Sequence, residues 1–180
     1  MNKSRLESFT DAIVAIAMTI MVLQIVPPAE ANFASLWDMR FSILIYALSF
    51  FTLAIYWKSH HHLFALGTKI NHRILWLNIL LLFVLTMFTF TTSWVDENLT
   101  ALASEVTYGA IMLVANVIYL FLAREFGKIN GRKNNNRRSW FSIGVICVGL
   151  VASIWLAPAV VISCLISLLP WIKVKKPNEI

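Results

Sequence analysis

The sequence predicts an all-α integral membrane protein with six transmembrane helices per subunit. Three observations carry this. Of the 180 residues, 59% are hydrophobic, and the mean hydropathy is +0.73, well beyond the apolar content of an ordinary soluble domain. The apolar residues gather in runs at roughly 8–26, 41–58, 74–95, 103–123, 140–157 and 159–173, and a helix needs about 20 residues to cross a bilayer. The charges, finally, divide between the two sides of such a layout. The chain 1–180 therefore reads as a single six-helix transmembrane domain.

Six spans put both termini on one side. That side receives Lys3 and Arg5, then Lys58, Lys69 and Arg73. It also receives Arg124, Lys128, Arg132, Lys133, Arg137 and Arg138, and finally Lys173, Lys175 and Lys176. Of the 15 Lys and Arg only Arg40 falls opposite, with Glu30, Asp38, Asp96, Glu97 and Glu105. Basic residues stay on the cytoplasmic side of short loops, so both ends are expected in the cytoplasm and the protein in the cell membrane. The net charge of +6 is thus a topology signal, and nucleic acid is not an expected partner.

The first run opens with Ser4-Arg5-Leu6-Glu7, which reads as a capping box with Ser4 as N-cap. One helix is expected from Arg5 to about Ile25, some 30 Å long. Lys3 and Arg5, the apolar stretch and Ala29-Glu30-Ala31 resemble a cleavable signal peptide, but the stretch is long and Glu7 and Asp11 are acidic where such peptides are not. The second run ends in Trp57-Lys58-Ser59-His60-His61-His62-Leu63-Phe64. Between the fourth and fifth runs, Lys128–Arg138 is a polar, Asn-rich cytoplasmic loop suited to anionic headgroups. Only Ala157-Pro158 separates the fifth and sixth runs, which form either a tight hairpin or one segment bent at Pro158. Cys147 and Cys164 lie in apolar runs without metal or redox spacing and read as small hydrophobes. Asn98-Leu99-Thr100 fits a glycosylation sequon, a short match without other support.

An ionisable residue within a span costs roughly 2.5–3.5 kcal/mol at the helix centre. Asp11 lies nearer the helix start but still needs a partner. Glu7, four residues earlier, repels it, and Arg5 points elsewhere. The stretch Trp57–Phe64 lies at the same depth, and pairing of Asp11 with the histidines is expected, either as a fixed clamp or as a pH sensor. Adjacent histidines on a helix diverge by about 100°, so His60, His61 and His62 make a poor metal site, and no metal is expected. GxSxG, HExxH and P-loop motifs are absent, so no enzyme is indicated. The potassium-filter loop is missing too. On the first helix Phe9, Ile13, Ile16, Ile20 and Leu23 share one face, with Thr19 beside Ile16. Such a stripe ordinarily packs in a core or against lipid.

Arg5-(x)3-Phe9-Thr10-Asp11 resembles the RxxxFSD signature that opens the first helix of the TMEM175 family of potassium channels. Trp57-(x)2-His60-His61-(x)2-Phe64 is similar to the family's WxxHHxxF element, and Asn78 matches an Asn early in its third helix. The resemblance implies a homotetramer with four first helices around a central pore and no pore loop. It implies a passive potassium channel with weak to moderate preference for K+ over Na+ and no cofactor. The residue five after the motif Asp, Ile16, would form the narrowest constriction, followed by Ile20 and Leu23, and Thr19 would bear on selectivity. Arg5, Phe9, Thr10, Asp11, Trp57, His60, His61 and Asn78 would make the motif and its supporting network. Three departures stand out: Thr10 replaces Ser, His62 replaces an Arg common in relatives, and Gln24 replaces an acid, removing negative charge from the outer mouth. The alternatives are a proton or non-selective monovalent-cation leak through the same pore, or a transporter or structural membrane protein in which Asp11 is architectural.

Overall fold

The computed structural model describes residues 2–132 and 136–172. Lys133, Lys173, Lys175 and Lys176, and with them the end of the sixth apolar run, lie outside the described residues. The described residues form α1 (Lys3–Val22), α2 (Phe33–Asp38), α3 (Arg40–Ala65), α4 (His72–Glu97), α5 (Leu102–Ile129), α6 (Arg137–Ala152) and α7 (Ala159–Ile172).

Two boundaries of α1 differ from expectation. Its N-cap is Asn2, whose Oδ1 accepts the Arg5 N–H at 3.0 Å. Asn caps as well as Ser, and starting at Lys3 places Lys3 and Glu7 one turn apart, with Nζ and Oε1 3.7 Å from each other. Ser4 is therefore inside the helix, and Glu7 does not complete a capping box. The helix ends at Val22 with Leu23 as C-cap, ahead of Pro27-Pro28, which cannot continue it. The short α2 was not expected. Asn32 caps it by accepting the Ser35 N–H at 2.8 Å.

The second apolar run stops at residue 58, yet α3 continues to Ala65. Ser59, His60, Leu63 and Phe64 are all buried, so the polar stretch keeps one face in the bundle and stays helical. The turn from α3 to α4 is fastened to the end of α5. Asn130 Oδ1 accepts from the N–H groups of Thr68 and Lys69 at 3.1 and 3.0 Å, and its Nδ2 donates to the Lys69 carbonyl at 3.1 Å. Asn71 caps α4 through the Ile74 N–H at 2.8 Å and donates to Glu125 Oε1 at 2.8 Å.

Of the six expected spans, three are long and apolar helices by themselves. Among the described residues α3, α4 and α5, with 26, 26 and 28 residues, are long and apolar enough to cross a membrane. Helix α1 has the length, 20 residues, but Lys3, Arg5, Glu7 and Asp11 sit in its first half. Helices α6 and α7, of 16 and 14 residues, fall short because the turn at residues 153–158 interrupts the run. That turn contains a cis Ala157-Pro158 bond. The two helices pack as an antiparallel hairpin, as the Ser142 hydroxyl bonded to the Ser167 carbonyl and Gly149 lying against Ser163 require. Cys164 is buried and Cys147 exposed, both as free thiols.

Contacts between helix ends place the start of α1, the end of α3, the start of α4, the end of α5 and the start of α6 together. Lipid tails are as apolar as the helix faces, so close packing and interhelical hydrogen bonds hold such a bundle. Small residues permit it. A Cβ on Gly109 would lie 2.6 Å from Val160 Cγ1, and one on Gly149 would overlap Ser163. Gly144 on the same helix has open space. Gly149→Ala should therefore pry α6 from α7, cost about 1–3 kcal/mol and lower the thermal midpoint in detergent. Gly144→Ala should leave it unchanged or raise it slightly, since Ala favours helix by about 1 kcal/mol over Gly.

Candidate functional site

The residues matched to the motif meet inside the bundle. His60 Nε2 lies 2.8 Å from Asn78 Oδ1. An amide oxygen only accepts, so the imidazole carries its proton on Nε2. Asn78 Nδ2 donates to Thr10 Oγ1 at 2.9 Å, and Thr10 Oγ1 donates to the Leu6 carbonyl at 2.9 Å. The proton direction is consistent from α3 through α4 to α1. All three side chains are buried, Asn78 completely. His60 also stacks on Phe64, with centroids 4.2 Å apart. Thr10 thus supplies the hydroxyl that a Ser would supply, and its extra methyl is accommodated.

Asp11 departs from expectation. Its Oδ1 accepts from the Trp57 indole N–H at 2.8 Å, and His61 stacks on that indole at 6.1 Å. The compensating donor does come from the stretch Trp57–Phe64, but it is the indole, because His60 is turned to Asn78. The exposed Asp11 carboxylate thus takes a neutral donor. Among the described residues no group of three or more His, Cys, Asp or Glu is placed to hold a metal ion.

The opposite face of α1 is uncovered. Leu6, Thr10, Val14, Ala17 and Met21 point into the bundle. Ile16, Ile20 and Leu23 are 56, 44 and 81% exposed, and Arg5, Phe9 and Thr19 are exposed beside them. The bonds of the network do not extend to Arg5 or Phe9. Ile13, counted on the same stripe, is instead partly buried against the core. The Thr19 hydroxyl donates back to its own helix, 2.9 Å from the Ile16 carbonyl and 3.1 Å from that of Ala15.

Other polar contacts escape a reading by motif. Thr92 Oγ1 is 2.9 Å from Ser49 Oγ, which is 3.1 Å from Tyr108 OH. Glu105 Oε2 accepts from the Val160 N–H at 3.4 Å, at the start of α7. Only helical phase could have hinted at these, since each is an isolated polar residue in an apolar run. Gln24 does not belong to the exposed stripe. Its Oε1 is buried in a pocket shared with Asp96, because position 24 continues the inward face through Met21.

An all-helical bundle with several apolar spans and a buried hydrogen-bonded core defines a polytopic membrane protein. The family model for the endosomal/lysosomal potassium channel TMEM175 matches residues 5–90, the stretch that holds the network and the α1 stripe. A potassium channel of Chryseobacterium sp. (strain P1-3) is 33% identical over 181 residues, spanning 88% of this chain and 94% of the relative. A potassium channel of Chamaesiphon minutus is 30% identical over 127 residues, 64% of this chain and 61% of that one. The crystal structure of a lysosomal potassium-selective channel TMEM175 homologue from Chamaesiphon minutus superposes with a TM-score of 0.80 at 25% identity, covering 94% of this chain and 96% of that one. The chain belongs to the TMEM175 family.

The Asp11–Trp57 bond is measurable by a double-mutant cycle. Asp11→Ala and Trp57→Phe should couple by about 0.5–1.5 kcal/mol in unfolding free energy. Asp11→Ala and His60→Ala should add to within about 0.5 kcal/mol. Stronger coupling to His60 than to Trp57 would return Asp11 to the histidines.

Proposed function

We propose that the protein is a passive potassium channel with weak to moderate preference for K+ over Na+, gated by an apolar constriction on α1. It works as a homotetramer in the cell membrane, four copies of α1 around a central pore, with no pore loop and both termini cytoplasmic. The observation that carries this is the uncovered α1 stripe: a face of Ile16, Ile20 and Leu23 on a helix whose other face is fastened in the bundle. The names of the relatives agree with it. Six crossings remain the proposed topology. Helix α1 reaches about 30 Å, and the shorter α6–α7 hairpin crosses with help from its turn residues and local bilayer thinning.

In such a tetramer four Ile16 side chains form a dry ring. An ion in the ring must shed water and finds no ligand in exchange, so the closed ring is a barrier. Spreading or rotating the four helices wets it. Potassium gives up its hydration shell more readily than sodium, which favours it at such a constriction. The Thr19 hydroxyl donates its proton to the helix backbone, leaving oxygen lone pairs to face a passing cation. Thr10, Asn78, His60, Asp11 and Trp57 hold α1 in phase and do not touch the ion.

Potassium-driven flux in proteoliposomes, with sodium and proton gradients as controls, tests this. Wild type should pass potassium in preference to sodium, and Ile16→Asn should raise the flux severalfold while lowering the preference. Unchanged flux in Ile16→Asn would remove Ile16 from the pore. No flux from either protein, both shown to be tetrameric, would overturn the channel.

A further inference from the structure

At the end of α1 away from Asn2, the turn after the helix, the start of α3 and the last turns of α4 line a small, half-open pocket. Its polar lining is Gln24, Ser42, Tyr46, Thr92, Ser93 and Asp96, with room for one water-sized body, about 10 Å³. Gln24 Oε1 and Asp96 Oδ1 are both buried there, and neither has a hydrogen-bond partner. Both are acceptors only. Two buried acceptors left without a hydrogen-bond partner in one pocket cost about 1–3 kcal/mol each, more for the carboxylate.

The backbone adds charge of the same sign. Helices α1 and α4 both end at this pocket, α1 at Val22 and α4 at Glu97. A helix C-terminus carries roughly half a negative charge, ordinarily answered by Lys, Arg or His in the last turn. Neither α1 nor α4 has a basic residue in its last turn, and α4 places Asp96 there instead. The remaining polar groups are hydroxyls, which can turn lone pairs inward. That of Thr92 already gives its proton to the Phe88 carbonyl at 2.7 Å. None of the lining residues is basic.

We propose that Gln24 and Asp96, with the hydroxyls of Ser42 and Ser93, bind one small hard cation that ties the outer end of α1 to α3 and α4. The ligands are all oxygens, the set that suits alkali and alkaline-earth ions. A single carboxylate and two helix ends balance one or two positive charges. The site lies within one subunit and off the exposed α1 stripe, so it is distinct from the proposed pore. Its occupancy fixes where α1 ends, and thereby the packing of the outer part of the stripe.

Thermal unfolding of the purified full-length protein in detergent tests this, in matched chloride salts of sodium, potassium, calcium and choline. At least one metal cation should raise the midpoint over choline by about 2–4 °C. Asp96→Asn and Gln24→Leu should each remove most of that rise, and Ser93→Ala should weaken it should either of those fail to fold. Ile16→Asn should keep it, which separates this site from ions in the pore. The proposal fails if wild type shows no rise over choline, or if the variants keep the rise. It fails also if Gln24→Leu loses the same stability in every salt, since a direct amide–carboxylate bond or a bridging water needs no cation. A protein without flux that still shows the rise leaves this site standing.

Discussion

The Asn78 amide joins three helices with two hydrogen bonds, accepting from His60 on α3 and donating to Thr10 on α1. In hydrocarbon there is no water to replace a lost partner, so rotating any of the three helices leaves a buried group unpaired. This sets the phase of α1. Once Thr10 faces α4, the 3.6-residue period turns Val14, Ala17 and Met21 inward and Ile16 and Ile20 outward. The apolar stripe is therefore a consequence of a polar bond about two turns away. Interhelical hydrogen bonds in membranes average only about 0.6 kcal/mol. The network matters for orientation more than for stability, because every misaligned alternative forfeits several bonds at once.

Helix α5 does the corresponding work for the rest of the chain. Its end holds the α3–α4 turn through Asn130 and Asn71 through Glu125. Its start presents Glu105 to the first turn of α7, where a carboxylate meets the positive end of a helix. Gly109 lets α7 approach closely. Among the described residues the hairpin α6–α7 packs on α5 and on α3 and reaches α1 through them. That division matches the comparison with the family, whose model covers α1 to most of α4 and stops before α5.

Much of this was legible in the sequence, and the failures share a cause. Apolar runs located every long helix, membrane depth pointed Asp11 to the stretch Trp57–Phe64, and the resemblance to the family added Thr10 and Asn78. What failed was each choice between near-equivalent local options. Asn2 and Ser4 are both good caps, and Asn2 takes the role by accepting the Arg5 N–H, with Lys3 and Glu7 then one turn apart. Trp57 and His60 lie within one turn of each other, and which one faces Asp11 depends on α4 claiming His60. The resemblance alone places Gln24 at the outer mouth, whereas position 24 continues the inward face through Met21 and its Oε1 lies buried in the pocket with Asp96. Hydropathy sees transfer into lipid, whereas these choices are settled by partners from other helices.

In the proposed tetramer, this arrangement dictates how α1 can move. The helix is held at Thr10 by neutral bonds deep in the bundle, where breaking one strands two groups. At its far end the proposed tie is a single exchangeable cation on Gln24 and Asp96, whose oxygens have no protein partner. Movement is least costly as a swing about the Thr10 level. At 1.5 Å per residue, Ile16 lies about 9 Å and Leu23 about 20 Å along the axis from that level. Any tilt therefore displaces Leu23 roughly twice as far as Ile16. The outer stripe opens wide for a small angle, while the Ile16 ring moves least and stays the narrowest point until last. A constriction placed close to the fixed end of its helix is thus the part of the pore whose closed state is hardest to lose by thermal motion alone.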